Sequence, residues 1–249
     1  MIRVEPGKEY ITWAKRNTSN HVYPLSIAEN RQYGDIFVDN VIDPHSVLFW
    51  HYCGFAYLTG EASDSILKEI AEEVSVKSKR RMILITDDPS VISFMDNMGC
   101  IISKRIEYEY DGMPCGSKKQ CGFEVKKIDA KNIRSITGRI IPSFSWKEEQ
   151  FLRNGFGYIA EMNNRYCGVA FSSAVSSDEV DIGVEVDPGY RGQGIASTLA
   201  LKMCEEIINT GKKPVWAHAE SNVGSMHTAL KCGFIQKKIN WCCSISFDQ

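Results

Sequence analysis

Arg191-Gly192-Gln193-Gly194-Ile195-Ala196 is the stretch whose residue types and spacing are best suited to chemistry. It stands between a strand-like run, Val180 to Val186, and a helical pattern that reaches Asn209. A turn with two glycines lets backbone N–H groups crowd around a ligand where a side chain would block them. The helix behind it adds unsatisfied N–H donors and the positive end of its dipole. This combination holds a phosphate or pyrophosphate, and Arg191 can add charge to it. No Gly-Lys-Ser/Thr follows, so the turn is not a P-loop. The dinucleotide pattern Gly-x-Gly-x-x-Gly fails at Ser197, and no acidic residue ends a following strand. A plain glycine-rich strand-to-helix turn is the other reading that the residues alone allow.

The elements that must position this turn read as alternating strands and helices. Val180 to Val186 alternates with the period of a strand that has two different faces. Tyr158–Glu161 and Tyr166–Ser172 form a hairpin around Asn163-Asn164, residues that tolerate the left-handed turn conformation. Two helical stretches, Ala130–Thr137 and Ser145–Asn154, precede it, and Val215–Ala219 is a strand between helices. In the first half, Val47–Cys53 and Phe55–Thr59 are aromatic and β-branched strands. Asp64 caps a helix with a stripe of Ile66, Leu67, Ile70, Ala71 and Val74. Met82–Ile85 is a strand, Asp88-Pro89 starts a helix that closes at Gly99, and Ile101–Tyr110 is a strand. The run DGMPCGSKKQCG, Asp111 to Gly122, is a composition break and marks the boundary. The expected domains are 1–115 and 123–249, both α/β (α+β).

Composition narrows the function classes. The 249 residues are 43% hydrophobic and 24% charged with a net charge of −2, which offers no electrostatic basis for binding nucleic acid or an anionic membrane. Nine cysteines are scattered; Cys115 and Cys121 are six apart and Cys242 and Cys243 adjacent, so no metal site is expected. They read as structural thiols of a reducing cytoplasm. No Cys-His nucleophile pair is evident, and no signal-peptide core or membrane-length apolar run is present.

Taken in order, Arg191-x-x-Gly194-x-Ala196 after a strand, Val184-Glu185-Val186-Asp187-Pro188, Asn222, and Lys231-Cys232-Gly233-Phe234 resemble the GCN5-related N-acetyltransferase (GNAT) superfamily. The likeness covers Phe123 to the C-terminus. The two-part arrangement is similar to the branch containing some antibiotic self-resistance acetyltransferases. The resemblance implies a mixed sheet flanked by helices, acetyl-CoA as co-substrate, and direct transfer to an amine of a small molecule or protein. It implies cofactor contacts at Val184, Val186, Arg191, Gly192, Gln193, Gly194, Ile195, Ala196 and Asn222. The family's usual tyrosine acid falls at Ala229, a departure that leaves a non-catalytic acyl-CoA sensor or interaction module as the alternative function.

For the base, Glu179, Asp181 and Glu185 share one face of a strand, and partial desolvation of a carboxylate there raises its pKa. Glu185 and Asp181 are the candidates, against a solvated polar face or a buried ion pair. His218 on the next strand is a rival, and His227 a weaker one. Phe144, Trp146 and Phe151 either pack an acceptor or belong to the core. The first half repeats the order of elements. It is expected to be a diverged copy, against the alternative that any small α/β domain shows this order; its turn, Thr59-Gly60-Glu61-Ala62-Ser63-Asp64, has one glycine, two acids and no cation, so no cofactor site is expected there.

Overall fold

The computed structural model describes residues 1–17, 21–74, 79–113 and 122–245. Cys115, Cys121 and most of the expected boundary run lie outside the described residues, as does the side chain of Val74. The chain forms two compact units, Met1–Ile106 with Ile239–Gln249, and Glu107–Lys238. The division therefore falls inside a strand rather than in the Gly/Pro run, and the last residues return to the first unit.

The first unit contains β1 (Ile2–Val4), α1 (Ile11–Arg16), α2 (Val22–Ala28), β2 (Gly34–Val38), β3 (Ser46–His51), β4 (Phe55–Gly60), α3 (Asp64–Glu69), β5 (Met82–Thr86) and α4 (Pro89–Asn97). β6 (Ile101–Tyr110) follows. The strand order is β1-β2-β3-β4-β5, then β12, the last strand of the chain (Phe234–Ile245), then β6. Every residue of β3 is buried, because its two faces feed two cores. Leu48 and Trp50 pack with Leu67, Met82, Val91 and Met95. Val47 and Phe49 pack with Tyr10, Ala14, Leu25 and Ile36. Helices thus cover both faces. The cap of α3 is Ser63, whose Oγ accepts from Ile66 N at 3.5 Å; Asp64, expected to cap, is the first helical residue instead. Asp88 caps α4 as expected, accepting from Ser90 N at 2.8 Å, with Pro89 behind it.

The second unit contains β7 (Glu124–Lys127), α5 (Glu148–Asn154), β8 (Gly157–Met162), β9 (Arg165–Val175), β10 (Glu179–Val186), α6 (Ile195–Asn209), β11 (Lys213–Ala219) and α7 (Val223–Lys231). Its order is β7-β8-β9-β10-β11-β6-β12. The two units therefore share one strand order, and in each the fifth strand pairs with a strand from the other half of the sequence.

Asn163 and Asn164 sit at φ 50° and 60°, the turn conformation read from their types. The helix expected over 130–137 is a single 3-10 turn, Ile133–Ser135. Asp129 and Asn132 explain this: Asp129 Oδ1 accepts from Lys131 N and Asn132 N at 2.8 and 3.1 Å, while Asn132 Oδ1 accepts from Asp129 N at 2.9 Å. Such side chains satisfy the backbone locally and stop a helix from propagating.

Two features of the second unit open its site. α6 buries Ile195, Leu199, Met203 and Ile207 in a helical stripe, which fixes the direction of its N-terminus. The parallel pairing of β10 with β11 runs Glu179↔Lys213, Val180↔Pro214, Asp181↔Val215 and stops there, although β10 continues to Val186. Along Ile182–Val186 β10 remains paired with β9 alone.

Candidate functional site

The strand end turns into α6 through a short, internally braced loop. Asp187 Oδ1 accepts from Gly189 N at 2.9 Å, and Arg191 Nε donates to Val186 O at 3.3 Å. Gly192 and Gly194 then adopt φ +79° and +82°, a region that strains any L side chain. A Cβ at either glycine would meet no heavy atom within 4 Å. The glycines are thus required by backbone conformation, and the space before them is open.

That space is a cavity of about 860 Å³. Val184, Val186, Arg191, Gly192, Gly194, Ile195, Ala196 and Asn222 line it, so of the nine expected contacts only Gln193 does not. Asn222 has a structural job as well: its Oδ1 caps α7, accepting from Ser225 N at 3.1 Å. A phosphate-bearing ligand fits the donor set, with a helix N-terminus, left-handed glycines and the cations Arg191 and Lys231 on one wall system.

The acidic candidates separate. Glu185 lines the cavity; Asp181 does not, being 3% exposed in the stretch where β11 is still paired. Glu185 Oε2 accepts from Arg139 N at 2.9 Å and also from Ile140 N. Gly138, at φ +141°, makes this approach feasible, since a Cβ there would lie 3.0 Å from the Glu185 carboxylate. Arg139 and Ile140, which also line the cavity, carried no signal in the sequence beyond the glycine before them. Nearby, burial, followed by Glu185 and Asp187, raises the pKa of Tyr166 and keeps it a phenol.

The histidines behave differently from one another. His218 is buried, with Nδ1 2.8 Å from Ala219 O and Nε2 3.1 Å from Tyr108 Oη. A proton on Nδ1 donates to the carbonyl, and Nε2 accepts from the phenol, so both nitrogens are engaged. His218 does not line the cavity, whereas His227 does. Ala229 is fully buried and outside the lining, and offers no proton there. Trp146 and Phe151 are core: their rings lie 5.9 Å apart, and Trp146 Nε1 donates to Ser172 O at 2.7 Å.

No group of three or more His, Cys, Asp or Glu suited to a metal occurs among the described residues, and no disulfide links the described cysteines. Burial pushes the Cys232 thiol up to about 11 and Cys243 up to about 12, so neither is a thiolate near neutrality. One Cys-His pair does exist, unseen in the sequence: His51 Nδ1 lies 3.1 Å from Cys53 Sγ, in the first unit. Burial first, then Arg80, lowers the His51 pKa to about 3, so it cannot hold a thiolate–imidazolium pair at neutral pH.

A family model described as GNAT acetyltransferase matches residues 16–240. The chain belongs to this family. The match runs through both units of this GNAT chain. The chain is similar to the GCN5-related N-acetyltransferase-like protein from Streptococcus suis 89/1591, at 20% identity and TM-score 0.73, covering 94% of this chain and 96% of that one. A GNAT-family acetyltransferase from Colwellia psychrerythraea superposes at TM-score 0.60 and 12% identity, over 96% and 95% of the chains. A tandem GNAT protein from the clavulanic acid biosynthesis pathway does so at TM-score 0.60 and 13% identity, over 100% and 99%. These likenesses carry the fold. A search of curated proteins found no match to this GNAT chain. Among the described residues no helix is long and apolar enough to cross a membrane.

Proposed function

We infer that the second unit binds acetyl-CoA in the cavity before Gly192–Ala196 and transfers its acetyl group directly to a primary amine of a small molecule or protein. The observation that carries this is the open edge of β10 beside the cavity: Val184 and Val186 offer backbone groups there that β11 does not use. The pantetheine arm pairs with that edge, and the pyrophosphate rests on the turn and the α6 N-terminus. Glu185 is the base. It takes the ammonium proton, the amine nitrogen attacks the thioester carbon, and the carbonyl electrons move onto oxygen. Collapse breaks the C–S bond, and the extra proton still on the nitrogen passes through water to the departing thiolate, giving the neutral amide and coenzyme A thiol without the residue missing at Ala229. Asp181 takes no part. The first unit binds no coenzyme, and the protein works in the cytoplasm without a metal.

Steady-state release of coenzyme A thiol from acetyl-CoA with a panel of primary amines tests this reading. Amine-dependent release, with acetylated amine detected by mass spectrometry, is the expected result. Saturable coenzyme A binding with no turnover on any amine would instead favour the sensor, the reading that Ala229 keeps open.

A further inference from the structure

Among the described residues, three cations and one acid line the cavity: Arg139, Arg191, Lys231 and Glu185. Arg191 belongs to the phosphate turn and is held by Val186 O. Lys231 sits on α7, the helix that Asn222 caps at the cavity wall. Arg139 is surplus to phosphate binding. It sits on a separate loop, and its guanidinium makes no hydrogen bond or ion pair among the described residues. That loop is not loosely placed, because the main-chain N–H groups of Arg139 and Ile140 are both bound to Glu185 Oε2. Glu185 and Arg139 therefore line the cavity from adjoining points, and neither the guanidinium nor Glu185 Oε1 has a hydrogen bond among the described residues.

Resting on the acyl-transfer reading above, we propose that the acceptor is an α-amino acid. Its carboxylate is taken by the planar fork of Arg139, and its ammonium faces Glu185 Oε1. Only one carbon separates the two charges of an amino acid, which suits a cation and an anion mounted on one clamp. Arginine is the side chain whose donors match a carboxylate two by two. A plain amine or diamine would satisfy Glu185 but leave Arg139 facing a cation or nothing. Gly138 belongs to the same device, since a side chain there would displace the Glu185 carboxylate.

The test is calorimetric titration of the full chain, saturated with coenzyme A, using matched pairs: serine and ethanolamine, histidine and histamine, phenylalanine and phenethylamine, lysine and cadaverine. The coenzyme A titration that precedes it reports separately on the cavity reading. At least one amino acid is expected to bind on the order of tenfold to a hundredfold more tightly than its decarboxylated partner, the range of a charge-assisted contact. Arg139→Gln brings the acid down to its partner's level, and Arg139→Lys restores part of the gap. Equal binding within every pair, binding by neither member, or a gap that survives Arg139→Gln would overturn the proposal. So would an Arg139→Gln effect confined to succinyl-CoA against acetyl-CoA, which would put the carboxylate on the acyl group.

Discussion

Both units place a cleft where the fourth and fifth strands part, and the two clefts differ in what fills them. In the first unit β4 and β5 pair only at Phe55↔Ile83 and Ala56↔Leu84, and a cavity of about 250 Å³ lies beyond. The protein itself occupies the strand edge there: Asn17 Nδ2 donates to Leu58 O at 3.3 Å and to Thr59 Oγ1 at 3.2 Å. The glycine of that turn, Gly60, is spent on packing, since a Cβ would lie 2.0 Å from His45 O. Gly192 and Gly194 have open space instead, before a cavity of about 860 Å³. Asp87 and Asp88 line the first cleft, where they oppose an anion, and Arg16 from α1 is the only cation among the described residues that line it. The same strand order thus leaves a wide open cavity or a small, partly filled cleft according to what satisfies one strand edge and one turn.

The largest effect on this comparison is expected from ending the chain at Lys238. That removes the partner of β5, including buried Cys243 and Ile245. The first unit's unfolding midpoint should fall by about 10 °C or more, as lost core contacts of several kcal/mol would produce. A coenzyme titration on the same truncated chain sharpens the comparison, because the second unit keeps β6 beside β11. Thermal scans showing no loss would mean that the exchanged strand does not hold the first unit together.

Next in size is Glu185→Gln, expected to lower kcat about a hundredfold, within the range of general-base catalysis, with coenzyme A affinity altered less than threefold. Asp181→Asn should leave both values near the native ones apart from any loss of stability. Equal rate losses in the two variants, measured at saturating acetyl-CoA, would contradict the separation of the two acids.

Asn17→Ala asks whether freeing the first strand edge is enough to create a site. The expected stoichiometry stays at one coenzyme A per chain, because Gly60 and the two aspartates remain. A second equivalent in the titration would show that Asn17 alone keeps that cleft closed.

The smallest effect concerns His51. Its folded pKa lies near 3, below the ordinary 6.5, so between these values the unfolded chain binds more protons than the folded one. Stability is therefore full above about pH 6.5 and declines as pH falls towards 3. His51→Gln should flatten this acid limb of the urea midpoint against pH. An unchanged slope would mean that other groups set it.

Much of the local backbone was legible from short-range signals in both units. The Asn163-Asn164 turn, the α4 start at Asp88-Pro89 and the Gly192/Gly194 turn each declare a backbone conformation through residue type. The helix expected over 130–137 failed because Asp129 and Asn132 bond the backbone locally, an outcome that apolar periodicity does not report. Placing Asp181 beside Glu185 failed for another reason. Strand periodicity gives a shared face but not the point at which the neighbouring strand departs. Arg139 and the exchange of final strands depend on long-range pairing, to which no local pattern points.

The central claim is that one cleft of the two takes the coenzyme, and a calorimetric titration with acetyl-CoA tests it most directly. The native chain should bind one equivalent, and folded Gly194→Trp, its indole placed in the open space before α6, should bind none measurably. Native affinity retained in a folded Gly194→Trp sample would contradict the account, as would two equivalents in the native chain.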